Sequence, residues 1–164
     1  MRQALSHRSW CAEYPGNPSN ERLEFLGDAV LGWVVADIAY HRYTDLPEGK
    51  LTDLRKAVVN ATALAQMADS VGLGESILLG KGEAAAGGRR KPSILSDTLE
   101  AVIGAVYVDG GPDAVRHVLT GLLGHRLDDV VDRLAVLDHK TALQELTARL
   151  FDRPPVYLIR EEGP

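Results

Sequence analysis

Glu21, Glu24 and Asp28 stand at steps of three and four in one stretch of the chain, and Asp97 and Glu100 stand three apart in another. On an α-helix, at about 100° per residue, each set projects from a single face. Glu24 and Asp28 lie about 6 Å apart along the axis and Asp97 and Glu100 about 4.5 Å, within reach of one metal centre. Glu21 lies about 10 Å from Asp28 and falls to an outer position. Like charges this close repel one another unless a cation neutralises them. The first set alone reads equally well as a solvated helix edge. The second sits in the most apolar helix of the chain, where charges are rarely left unpaired, and no lysine or arginine lies between Lys91 and Arg116. Two readings stay open: salt bridges from Arg22, Arg42, Lys50 or Arg55, or convergence of Glu24, Asp28, Asp97 and Glu100 on a divalent metal. An all-oxygen ligand set selects Mg²⁺ or Mn²⁺ over zinc.

Other chemistries find little support. A helical di-iron centre needs Glu-x-x-His pairs, and none of the five histidines has a glutamate three residues before it. His7, His41, His117, His125 and His139 read as scattered structural or surface residues, and no His-Asp dipeptide occurs. Cys11 is the only cysteine, which excludes a disulfide framework and a four-thiolate zinc site. It has no base beside it and reads as a structural thiol. No nucleophile-elbow sequence is present. The net charge of −5 argues against a broad basic face for nucleic acid, but not against a site where metal cations meet phosphates. No apolar run approaches the roughly 20 residues of a membrane span, and no secretory leader is evident. A cytoplasmic location is expected by default.

The elements that position the acids follow from periodicity. A chain of 164 residues suits one compact domain with a short appendage. A short helix and the turn-rich stretch Tyr14 to Asn20 lead into a helix from Glu21 to about Tyr43, with Asn20 as its cap. Next comes either one helix from about Glu48 to Ser70 or two helices broken near Asn60, with Pro47 and Glu48 in the first turn. Gly80 to Ser93, with Lys81, Arg89, Arg90 and Lys91 against one acid, Glu83, reads as a flexible basic loop. An apolar helix carrying Asp97 and Glu100 follows, stopped at Asp109-Gly110-Gly111-Pro112, and a further helix spans about Asp113 to Leu134. Residues from Asp138 onward begin afresh, and Pro154-Pro155 leads into a strand-like Val156-Tyr157-Leu158-Ile159. The main domain is therefore expected to be all-α.

The run Asn20-Glu21-Arg22-Leu23-Glu24-Phe25-Leu26-Gly27-Asp28-Ala29-Val30-Leu31 resembles the signature of the ribonuclease III family. Further blocks resemble the family in the same order: Ala4-Leu5-Ser6-His7-Arg8-Ser9, Leu79-Gly80-Lys81-Gly82-Glu83, and Ser93 to Ala101. Asp138-His139-Lys140-Thr141-Ala142-Leu143-Gln144-Glu145-Leu146 resembles the first helix of the double-stranded-RNA-binding domain of bacterial members. The resemblance implies an all-α endonuclease domain over 1–136 and an incomplete α-β start of an RNA-binding domain over 137–164. It implies a homodimer that cleaves double-stranded RNA, as in ribosomal RNA maturation, with Mg²⁺ (Mn²⁺ as substitute) held by Glu24, Asp28, Asp97 and Glu100. Glu21 and Glu48 match acidic positions near the scissile strand, and Phe25 matches an apolar residue that packs across the dimer axis; from the sequence alone it reads as an ordinary core phenylalanine. Expected products carry 5′ phosphate and 3′ hydroxyl. Arg89, Arg90 and Lys91 are candidates for phosphate contact, with a solvated basic loop as the alternative, and Gln144 and Glu145 match minor-groove contacts. Recognition by shape and phosphate implies weak sequence preference.

One helix and one strand of the RNA-binding domain are too little for an independent core. The chain reads as a piece of a longer protein, with weaker and more salt-sensitive RNA binding expected of it. A helical nucleotide pyrophosphohydrolase also uses paired acids and Mg²⁺, but its pairs lie close in sequence, whereas Glu24 and Asp97 are 73 positions apart. A helical RNA-binding dimer without catalysis would lack carboxylates that are all present here.

Overall fold

The computed structural model describes residues 1–124, 126–151 and 155, and for residues 137–142 and 145 the backbone alone. A 3₁₀ turn at Arg2–Leu5 leads into α1 (Arg8–Glu13), followed by α2 (Glu21–Arg42), α3 (Glu48–Val59) and α4 (Ala61–Ser70). Short helices α5 (Leu73–Ser76) and α6 (Lys81–Ala85) and a 3₁₀ turn at Gly88–Arg90 precede α7 (Pro92–Leu123) and α8 (Arg126–Phe151). Among the described residues the only β-type pairing is an isolated parallel bridge between Ser6 and Leu78. The all-α expectation holds. The chain divides into two compact units, Met1–Leu127 and Asp128–Pro164.

In the first unit α2 and α7 form the largest helix pair, and α4 packs on α7. The apolar positions explain this arrangement. Val30, Leu31, Val34, Val35 and Ala39 of α2 are buried, as are Ile94, Leu95, Leu99 and Ile103 of α7. Leu64, Met67 and Ala68 supply the inward stripe of α4. Each leucine, isoleucine or valine so buried contributes about 1.5–3 kcal/mol. Arg116 pairs with Asp37 and ties the later part of α7 to α2.

Several local expectations change. The break at Asn60 gives two helices, and the Asn60 side chain accepts from the Ala63 N–H at 3.0 Å to start α4. Pro47 stands just before α3 rather than within its first turn. Asn20 precedes α2, but its side chain makes no cap hydrogen bond: the residue is itself helical and buried, and its backbone N–H donates to Ser6 O at 2.9 Å. The expected basic loop is instead folded into α6 and the turn at Gly88–Arg90. The Arg89 guanidinium holds it, donating through Nη1 to the carbonyls of Gly74, Glu75 and Ile77 at 3.0–3.1 Å. The expected stop at Gly110-Gly111-Pro112, by contrast, is present: Gly111 is non-helical at φ 71° and ψ −168°, and α7 is two helical stretches meeting at this kink. The helix expected over 113–134 is divided by Gly124, whose positive φ of 47° ends α7.

The second unit comprises the rest of α8, where Leu143, Leu146 and Leu150 form an exposed stripe at helical spacing. The backbone is helical through 137, where a new segment was expected. The strand expected at 156–159 lies outside the described residues.

The α2–α7 crossing is made by two mid-helix glycines. A Cβ built on Gly27 would stand 1.8 Å from the Glu100 carbonyl oxygen, and one on Gly104 would stand 2.3 Å from that of Leu23. Both are backbone atoms, which no rotamer change relieves. Gly27→Ala is therefore expected to destabilise the fold by about 2–3 kcal/mol or more, as overpacking against backbone does. Gly121, in α7 with nothing near its Cβ position, serves as the control. Gly121→Ala should stabilise by about 0.4–1 kcal/mol, and urea titrations of the two variants against the parent check both signs.

Candidate active site

Because Gly27 and Gly104 let α2 and α7 touch backbone to backbone, side chains flanking the crossing on the two helices meet. Glu24 lies one turn before Gly27, and Glu100 is the residue whose carbonyl faces it. Carboxylate oxygens of Glu24, Asp97 and Glu100 lie within 4.8 Å of one another, and all three side chains are half-buried. Among the described residues no lysine or arginine pairs with any of them, so the salt-bridge reading from Arg22, Arg42, Lys50 or Arg55 finds no support. The Ser96 hydroxyl donates to Asp97 Oδ1 at 3.1 Å. Asp28 is exposed and outside this close triplet, yet its charge is the strongest acidic influence on Glu100.

The electrostatic consequence is direct. Burial first, then the charges of Asp28, Asp97 and Glu24, push the Glu100 carboxyl up to about 7. Burial also raises Glu24, with Asp97 and Glu21 adding to it and Arg8 acting in the opposite sense. The donor set fits a hard divalent cation, being oxygen-only, mutually close and unneutralised. Two oxygens on one Mg²⁺ stand roughly 3–4 Å apart, given bonds of about 2.1 Å, so a small inward turn of these side chains suffices.

A cleft of about 280 Å³ opens beside the triplet, lined by Glu21, Glu24 and Asp97 on one side and by His7, Arg8 and Lys91 on others. Glu21 accepts from the Ser19 hydroxyl at 2.7 Å at its rim. Lys91 lies 3.6 Å from Glu83. Glu48 is exposed in the first turn of α3, accepting from Thr52 Oγ1 at 2.9 Å, and is not part of the triplet. Arg90 is exposed. Gln144 is exposed on α8, and the Glu145 side chain lies outside those described. Phe25 is 81% exposed, which removes the core reading of that residue.

A family model described as Ribonuclease-III-like matches residues 1–126. The chain belongs to the ribonuclease III family. It is 53% identical to "Ribonuclease 3" of Streptomyces coelicolor over 99% of its own length and 59% of that protein. It is 52% identical to "Ribonuclease 3" of Thermobifida fusca, covering all of this chain and 68% of that one. The nuclease domain of ribonuclease III from Campylobacter jejuni superposes with a TM-score of 0.69 at 43% identity, over 74% of this chain and 82% of that chain. Dicer from Pichia stipitis gives a TM-score of 0.57 at 28% identity, over 87% and 67%. The chain thus spans about three fifths of the Streptomyces relative, and the ribonuclease III match covers the unit that carries the triplet.

Sequence reasoning missed two things about this ribonuclease III fold. Gly27 and Gly104 sit inside helices, where glycine costs about 1 kcal/mol each, and that cost was the available signal of a close approach. His7 was read as one of the scattered histidines, whereas it lines the cleft.

Glu100 also sets a pH dependence. Its ordinary value is 4.5 and its folded value about 7, so between these limits the folded state binds more protons than the unfolded one. Stability of the cation-free protein should then fall as pH rises from about 4.5 to 7. Glu100→Gln should flatten that slope, and added Mg²⁺ should recover the loss in the parent chain only. Thermal midpoints at pH 5 and pH 8, with and without Mg²⁺, measure all three.

Proposed function

We propose that this chain carries the catalytic part of a ribonuclease III-type endoribonuclease that hydrolyses phosphodiester bonds of double-stranded RNA. The observation that carries the reading is the unneutralised meeting of Glu24, Asp97 and Glu100 at the α2–α7 crossing. Glu24, Asp28, Asp97 and Glu100 would hold Mg²⁺, with Mn²⁺ as a substitute. When bound, the cation supplies Lewis acidity that eases deprotonation of the attacking water and stabilises the departing 3′ oxygen, giving 5′-phosphate and 3′-hydroxyl ends.

The chain's own residues prepare that step. With its carboxyl pushed up to about 7, Glu100 is partly protonated near neutrality, so the triplet without a cation carries less negative charge than three free carboxylates. Asp28, exposed and acting on Glu100 through its charge, would complete the ligand set. Glu21 at the cleft rim and Glu48 on α3 flank the path of the strand. Arg90 is the exposed phosphate contact of its segment, with Lys91 paired to Glu83 beside it, because Arg89 is engaged with three carbonyls. Gln144 and Glu145 are assigned to RNA contact by their match to the family's RNA-binding helix. Processing of ribosomal RNA precursors in the cytoplasm is the role this reading assigns.

The same reading makes the molecule a homodimer. Phe25, Ala29, Trp33 and Tyr40 lie within about 80° of one another around α2, and all are exposed. An exposed apolar stripe of this kind can meet its own copy about a two-fold axis.

Two outcomes are expected. Glu100→Ala should lower Mg²⁺-dependent cleavage of a duplex RNA by more than about 100-fold, beyond the loss that follows removal of a ligand's outer partner. Its circular dichroism should stay that of the parent. Phe25→Glu should shift the chain from dimer to monomer in sedimentation velocity while the helical content is kept.

A further inference from the structure

His7 begins α1, and the contacts of its ring settle which nitrogen carries the proton. Its Nδ1 accepts from the Ser9 backbone N–H at 3.2 Å and lies 2.8 Å from Ser9 Oγ. A backbone N–H can only donate, so Nδ1 is the acceptor and the neutral ring bears its proton on Nε2. Ser9 Oγ in turn accepts from the Gly80 N–H at 2.9 Å, and Glu13 Oε1 accepts from the Lys81 N–H at 2.6 Å. These bonds fasten α1 to the start of α6. The imidazole is thereby held at its Nδ1 edge, and the residue lines the cleft that Glu24 and Asp97 also line.

Arg8 stands next to it on the cleft wall and makes no hydrogen bond or ion pair among the described residues. Lys91, across the cleft, is by contrast drawn to Glu83. A hydrogen-bond donor in a fixed orientation and an uncommitted guanidinium thus line the space beside a carboxylate triplet. The cleft also carries Glu21 and Glu83, whose charges bear on His7. With Lys91 beside Glu83 and a divalent cation on the triplet, the neutral donor of His7 and the charge of Arg8 suit an oxyanion rather than an apolar group.

We infer that His7 and Arg8 form a phosphate-holding wall of the cleft, seating a backbone phosphate of the strand being cut next to the metal-binding triplet. His7 donates through Nε2 to a non-bridging oxygen, and Arg8 supplies the charge. The inference rests on the nuclease reading above and assigns substrate-holding residues to that same site.

The test exploits the two edges of the ring. His7→Asn keeps an oxygen in the place of Nδ1, able to cap α1 and bond Ser9, but removes the Nε2 donor. The expected result is a fall of about tenfold or more in kcat/KM on duplex RNA with Mg²⁺, as loss of a hydrogen bond to a charged group produces. KM should carry a substantial part of it, while the thermal midpoint and the Mn²⁺ affinity of the free protein stay at parent values. Arg8→Gln should weaken duplex binding measured in Ca²⁺ and reduce the slope of log affinity against log salt by about one. Parent-like kcat/KM in His7→Asn together with an unchanged salt slope in Arg8→Gln would overturn the inference and leave the nuclease reading standing. A parent chain inert towards duplex RNA would overturn both. Should His7→Asn lose its fold, the Arg8→Gln salt slope decides alone.

Discussion

The close approach of α2 and α7 governs the rest of the molecule. Two helices whose side chains interdigitate ordinarily keep their axes 8–10 Å apart. Here the main chain of one lies against the main chain of the other, because Gly27 and Gly104 present no Cβ at the contact. Acids placed within a turn of those glycines then have nowhere to diverge. Glu24 on one helix and Asp97 and Glu100 on the other share a space too small for three independent hydration shells. The buried stripes of Val30, Val34, Leu99 and Ile103 supply the free energy that holds this contact closed.

The packing imposes an electrostatic load that a proton relieves and a cation would relieve. Burial and mutual repulsion raise the Glu100 carboxyl to about 7, and Glu24 is shifted the same way. On the proposed reading, the carboxylates would trade these protons for a bound ion. A locally unfavourable arrangement of this kind is what distinguishes a built site from an acidic surface, where each side chain would swing out into water. Arg8 tempers the load at Glu24 without forming an ion pair, which leaves the ligand oxygens unclaimed.

Much of this was legible from residue order. Steps of three and four placed Glu21, Glu24 and Asp28 on one face, and the apolar run around Asp97 and Glu100 signalled a central helix. The helix over Glu21–Arg42 followed from its apolar spacing, whereas one helix or two around Asn60 stayed open until the Asn60 cap on Ala63 decided it. What failed depended on contacts from afar. Residues 80–93 carry the composition of a basic loop, yet Arg89 reaches back to Gly74, Glu75 and Ile77 and folds the segment. Asn20 has the right type for a cap, but a backbone bond to Ser6 draws it into the core instead. Gly124 alone, with no proline or polar cluster, ends α7 by its left-handed φ. Phe25 read as core by type, and only the geometry of α2 shows it facing outward.

The bonds from Ser9 to Gly80 and from Glu13 to Lys81 join residues 71 and 68 positions apart in the chain, and the glycine crossing spans a similar separation. Closing loops of that size carries an entropic penalty that short-range contacts do not offset until both ends are present. On a ribosome, then, α1 and α2 emerge early and wait without a counterpart. Neither the metal-binding triplet nor its cleft can exist before Gly104 has left the exit tunnel. For a protein read as an RNA-cutting enzyme, this delays the onset of activity until most of the domain has been synthesised away from the message that encodes it.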